Sequence, residues 1–351
     1  MKTTFIGKIL VLLAIGNPFS AYNQNITLPV QPEAGPGGSD YSYDSVAVID
    51  LAENREGCWI FVPAAPAVVS APVVVFTHGY GCINPMIYGQ WIRHLVRKGN
   101  IVIYPRYQTD LVFPRPPEFA ENTAKGIKKG LKAISEMPGL QVDPSNFALI
   151  GHSYGGVVNA DLAVNWEKAG IPKPKAVMLC QPGTGPLKGG RLETYAGFPA
   201  DIPLLIITGE FDSTVGDEFA QLVFQTAINT PERNLVRHFA DGHGQPLVSA
   251  SHHECYAIDT IFDNGLRNFS ANRALERSKI DVVDYYCYWK LGDALLDCAF
   301  YQKNCEVAFG GTPEQCSLGT WSDGTPVRPL EVILPKMVTS EKDIDDLSEK
   351  Q

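Results

Sequence analysis

The chain has 351 residues, 45% of them hydrophobic, with 38 acidic against 29 basic side chains and a formal net charge of −9. That is enough apolar material for one large core or two small ones. The acidic balance argues against a nucleic-acid partner, which calls for basic patches.

From the N-terminus, Lys2 and Lys8 precede the apolar run ILVLLAIG, and NPFSA offers small residues near Ala21. This is the pattern of an export signal over residues 1–21. The run is well short of the roughly 20 apolar residues a membrane-spanning helix needs, and no later run is long enough either. The mature protein is therefore expected to be soluble and outside the cytosol, secreted or periplasmic. Residues 22–45, with QPEAGPGGSD, read as a Gly/Pro-rich linker or edge segment.

Short apolar runs then alternate with longer polar stretches. APVVVFTHG (71–79), NIVIYP (100–105), NFALIGHS (146–153), KAVMLC (175–180) and PLLIITGE (203–210) are continuous and rich in β-branched residues, as strands buried on both faces should be. Helix-like stretches fall at Tyr88–Lys98, Ala120–Met137, Gly155–Ala169 and Gly216–Ala227. This alternation implies a mostly parallel sheet covered by helices on both faces. The gap between Gln181 and Pro203 is too short for a large cap domain.

The sharpest chemical signal is ALIGHSYGG, in which a strand runs through Gly151-His152-Ser153-Tyr154-Gly155 into a helix. This is a G-x-S-x-G nucleophile elbow in its required context, with Ser153 on the strained turn. A serine hydroxyl needs a base, and the base needs a carboxylate to hold its tautomer. ITGEFDSTVGD offers Glu210, Asp212 and Asp217 as carboxylates, and DGHGQPLVSASHH, after the strand-like NLVRHF, offers His243, His252 and His253 as bases. His78 and His152 read as packing or backbone-bonded histidines. A metal site among His243, His252, His253, Asp241 and Glu254 lacks the i,i+4 spacing that would support it.

Five of the eight cysteines, Cys255, Cys287, Cys298, Cys305 and Cys316, lie in the C-terminal third, and no CxxC pair occurs. In an exported chain this spacing suggests a disulfide-stapled end, with no pairing assigned. Cys180, closing AVMLC, reads as a plain core thiol. NIT at Asn25 and NFS at Asn268 are glycosylation acceptor patterns. The main domain is expected over 46–335, with an acidic disordered tail over 336–351.

VVVFTHGYG, GHSYGG, ITGEFDSTV and LVSASHH stand in the order oxyanion strand, serine, acid, histidine. In this the chain resembles the α/β-hydrolase family, and within it the secreted cutinase-like and dienelactone-hydrolase-like serine esterases, over roughly residues 45–330. The resemblance implies an α/β-hydrolase fold and ester hydrolysis through an acyl-enzyme, with no cofactor. It implies Ser153 as nucleophile, His252 as base in Ala250-Ser251-His252, and Asp212 as the orienting acid. The main-chain N–H groups of Tyr80 and Tyr154 would form the oxyanion hole, and the ring of Tyr80 could clamp an acyl group. A peptidase or amidase would use the same triad, and a non-catalytic binding protein of the fold would usually break it. Acyl length and oligomeric state stay open, and the expected partner is a small or polymeric ester.

Overall fold

The computed structural model describes residues 25–335, apart from residues 67, 69, 110 and 188. The expected export signal and acidic tail lie outside the described residues.

Nine strands form one sheet among the described residues: β1 (Ser45–Asp50), β2 (Cys58–Ala65), β3 (Ser70–Thr77), β4 (Ile101–Pro105), β5 (Gln141–His152), β6 (Ala176–Cys180), β7 (Leu204–Gly209), β8 (Arg233–His238) and β9 (Glu331–Ile333). Their order is β1-β2-β4-β3-β5-β6-β7-β8-β9. From β4 through β8 the neighbours are parallel, and β1, β2 and β9 add antiparallel edges. The helices are α1 (Gly89–Arg97), α2 (Phe119–Ser135), α3 (Tyr154–Val164), α4 (Trp166–Ala169), α5 (Glu218–Thr226), α6 (Phe269–Arg277), α7 (Lys290–Tyr301), α8 (Cys305–Ala308) and α9 (Pro313–Cys316).

Alternate residues of each central strand enter different cores, which is why the strands read as unbroken apolar runs. Val74, Phe76, Ile150 and Met178 pack with Trp91 of α1 and Leu291 of α7 on one face. Val73, Val75, Leu149 and Leu179 pack with Ile127, Val157 and Phe219 of α2, α3 and α5 on the other. The sheet thus carries helices on both faces, and no helix or strand occurs among the described residues between β6 and β7, where a cap would sit.

Two stretches differ from the expected elements. The stretch read as one helix from Gly155 to Ala169 breaks at Asn165, whose φ −105° and ψ 21° leave the helical range while its main-chain N–H still reaches the Asp161 carbonyl (2.9 Å). The strands β1 and β2 were not among the expected ones, although β2 carries the apolar run CWIFV; β1 is an edge strand, mostly exposed along its length. The Gly/Pro-rich segment lies against the body of the fold: Gly37 N–H donates to Asp293 (2.8 Å), and the Tyr41 hydroxyl meets His94 Nδ1 at 3.1 Å. In the C-terminal third one disulfide, Cys298–Cys305, joins the end of α7 to the start of α8. Cys58, Cys82, Cys180, Cys255 and Cys287 are buried free thiols, and Cys316 is a half-buried one.

Candidate active site

The site lies beyond the C-terminal ends of the parallel strands, where backbone dipoles and helix N-termini converge. β5 delivers its last residue, His152, and the chain turns at once into α3. Ser153 takes φ 57° and ψ −123°, a conformation that costs a non-glycine residue on the order of 1–3 kcal/mol. The turn holds because α3 packs tight against β3. A Cβ on Gly155 would stand 2.0 Å from the Thr77 carbonyl oxygen, so only glycine fits there.

Asp212 follows β7. Its Oδ1 accepts the main-chain N–H groups of Thr214 and Val215, each at 3.0 Å, and its Oδ2 accepts from His252 Nδ1 at 2.7 Å. A carboxylate cannot donate, so Nδ1 carries the imidazole proton and Nε2 is the acceptor. The Ser153 hydroxyl donates to that Nε2 at 2.9 Å. The relay is sheltered: Ser153 is 7% exposed, and the side chains of His252 and Asp212 are 5% and 2% exposed. Burial would raise the Asp212 pKa. The hydrogen bond from His252, with the two main-chain donors, outweighs burial and holds it below the usual carboxylate value.

The other candidates stand elsewhere. Glu210 accepts from Ala240 N–H and pairs with Arg328, and Asp217 pairs with Arg237 at 2.6 Å. His243 pairs with Asp323 at 2.8 Å. The His253 ring lies edge-on to His252 and Tyr256, and burial, then the neighbouring His252, Arg273 and Arg277, push its pKa down to about 4. His78 is stacked on Tyr107, with both ring nitrogens against main-chain carbonyls and its pKa driven down to about 4 by burial. No three His, Cys, Asp or Glu side chains gather as metal ligands among the described residues.

His152 is the backbone-bonded histidine it was expected to be, whereas Tyr88, Gln181 and Glu254 escaped the sequence reading as supports of the site. His152 donates from Nε2 to the His252 carbonyl (3.0 Å) and accepts from the Tyr88 hydroxyl (2.8 Å), which itself accepts from Gly79 N–H (3.1 Å). This buried chain ties the loop after β3, the elbow and the histidine loop together, and burial keeps His152 neutral by driving its pKa well below the usual value. Gln181 donates to the Ser251 carbonyl at 2.6 Å. Glu254 Oε1 accepts from the Ser249 hydroxyl, the Ser251 hydroxyl and the Ser251 N–H, bracing the turn that carries His252. The S-x-x-E spacing of Ser251 and Glu254 was the one local signal for any of these.

Tyr154 opens α3, so its N–H lies at the positive helix end, and its hydroxyl donates to the Gly189 carbonyl at 2.6 Å. Tyr80 lies in the loop after β3 and donates its hydroxyl to the Leu111 carbonyl at 2.7 Å. A cavity of about 590 Å³ is lined by Arg55, Gln108, Arg115, Phe119 and Asn122 among others, but not by Ser153. It meets the site indirectly, through Phe119 edge-on to Tyr154 and through Gln108, which accepts from Gly81 N–H.

A parallel sheet with helices on both faces, a serine elbow after its central strand, a carboxylate after β7 and a histidine beyond β8 make the molecule an α/β-hydrolase. Within that class the chlorophyllase family model matches residues 49–224, half of the chain. The chain belongs to the chlorophyllase family and is an ester hydrolase of the α/β-hydrolase type. The matched span includes Ser153 and Asp212 and ends before His252. No curated protein matches the chain.

Proposed function

We propose that the protein is an exported serine hydrolase that cleaves carboxylic esters through Ser153, His252, Asp212 and an acyl-enzyme. The observation that carries this is the continuous Ser153–His252–Asp212 relay at 2.9 and 2.7 Å. Ser153 Oγ attacks the ester carbonyl while His252 Nε2 takes its proton. The main-chain N–H groups of Tyr154 and Tyr80 receive the developing oxyanion. His252 then passes the proton to the departing alcohol, and a water activated by the same nitrogen frees the acid and restores Ser153. Throughout, Asp212 stays ionised, holding the imidazole and offsetting its transient charge.

The short β6–β7 connection supports an open site of the cutinase-like or dienelactone-hydrolase-like kind, acting on soluble esters without a lipid interface. The N-terminal signal pattern supports export, and the Cys298–Cys305 disulfide fits an oxidising compartment. An organophosphonate is expected to label Ser153, and Ser153→Ala to lower kcat by several powers of ten. The assay is a chain-length series of esters beside an amide, with chlorophyll, the ester the family's name points to, in the same panel. Labelling at another serine, with Ser153→Ala still active, would overturn the reading.

A further inference from the structure

We propose that Asn268 and Ser270, at the start of α6, are positioning residues that hold the oxyanion loop, acting through Tyr80 and Gly81. The inference rests on the reading of the Tyr80 N–H as an oxyanion donor. On the side of the sheet the loop is already tied: the Tyr107 hydroxyl donates to the His78 carbonyl at 2.7 Å, and Gly79 N–H to the Tyr88 hydroxyl. Beyond Tyr80 the chain reaches Gly81, at φ 76°, where the absent Cβ leaves the backbone free to rotate. α6 removes that freedom. The Ser270 hydroxyl donates to the Tyr80 carbonyl and Asn268 Nδ2 to the Gly81 carbonyl, each at 2.8 Å. On the other edge of the Tyr80–Gly81 peptide, Gly81 N–H donates to Gln108 Oε1 at 2.8 Å. The plane is therefore clamped from both sides, and contact is close enough that a Cβ on Gly81 would stand 2.4 Å from Ser270 Oγ.

Asn268 uses both ends of its amide. Its Oδ1 caps α6 by accepting from Ala271 N–H at 2.9 Å, which leaves Nδ2 for Gly81. The two residues are the first and third positions of the NFS acceptor pattern, and the polar groups that define the pattern are both engaged in the fold. α6 is otherwise a surface helix that buries only Ala271 and Ala274 and leaves Phe269 72% exposed. Changes at its start therefore act on the loop and spare the core.

Asn268→Asp separates the two roles, because aspartate caps a helix as well as asparagine but has no proton for the Gly81 carbonyl. Ser270→Ala removes the bond to Tyr80, and Ser270→Thr restores a hydroxyl. The full chain is compared with these variants for kcat and KM on a soluble nitrophenyl ester, for melting temperature, and for Ki of a trifluoromethyl ketone that forms an oxyanion adduct. For Asn268→Asp and Ser270→Ala we expect kcat to fall about 10- to 100-fold with KM little changed, and Ki to rise by the same factor. Ser270→Thr should recover most of the loss. If both variants keep kcat and Ki within about twofold of wild type while Ser153→Ala is inactive, the inference fails and the parent reading stands. A kcat loss with unchanged Ki also overturns it, because the oxyanion contact would then be intact. An active Ser153→Ala protein would instead sink the parent reading and this one with it.

Discussion

Replacing Asp212 by asparagine exchanges one oxygen for an NH2 group and leaves the shape unchanged. The substituted side chain would keep an oxygen for Thr214 and Val215 N–H, both at 3.0 Å, but would aim its NH2 at His252 Nδ1, now 2.7 Å from a carboxylate oxygen. Two donors cannot face one another, so the imidazole proton moves to Nε2, and that nitrogen can no longer take the proton of Ser153. An inverted tautomer of this kind costs about 10⁴ in kcat in the serine proteases, or about 5.4 kcal/mol of transition-state stabilisation. The same change alters acid stability. The Asp212 pKa is below its unfolded value of 3.8, because the His252 bond and two N–H groups outweigh burial. A lowered carboxyl pKa stabilises the fold above the unfolded value, and that stability is lost as pH falls through the folded one. The wild-type advantage over Asp212→Asn should therefore shrink below about pH 4. The assay is kcat and KM on a soluble nitrophenyl ester near neutral pH, beside acid unfolding followed by circular dichroism. A kcat within about tenfold of wild type would refute the tautomer argument.

His252→Ala should be nearly as damaging as Ser153→Ala, because the members act as a unit, whereas His243→Ala, which loses a partner on Asp323, should cost about tenfold or less in kcat/KM. His253, held down to about 4, is neutral at working pH, so kcat/KM should rise with pH in one step whose shape His253→Ala leaves unaltered. Gly155→Ala forces a Cβ to 2.0 Å from the Thr77 carbonyl oxygen and should cost at least about 1–3 kcal/mol, read as a loss of melting temperature or of soluble protein. Peptide mapping without reductant should recover Cys298 linked to Cys305, and Cys298→Ser should cost about 2–3 kcal/mol in urea unfolding; five freely alkylated thiols in the C-terminal third would contradict the bridge.

How much of this was legible in one dimension follows from how local each signal is. The central strands stand out because both of their faces are buried: β6 has no polar position, and the polar residues of β3, Ser70 and Thr77, stand only at its ends. The elbow is legible because strand, strained turn and helix are consecutive, and glycine is the residue that admits the close packing at 155. Three carboxylates and three histidines were open as its partners, since composition around them is alike. What selects among them is the order and register of β6, β7 and β8 on from β5: it sets Asp212 against a histidine 40 positions on, and that histidine against a serine 99 positions back. Glu210, two residues from Asp212, is turned away to Arg328. The α6 clamp on the oxyanion loop spans 187 and 190 positions, and in sequence it looks only like a glycosylation pattern. A strand or an elbow is decided by neighbours within a few residues. Which side chains face one another across the top of the sheet is decided by where distant loops are brought to rest, and that belongs to the tertiary structure alone.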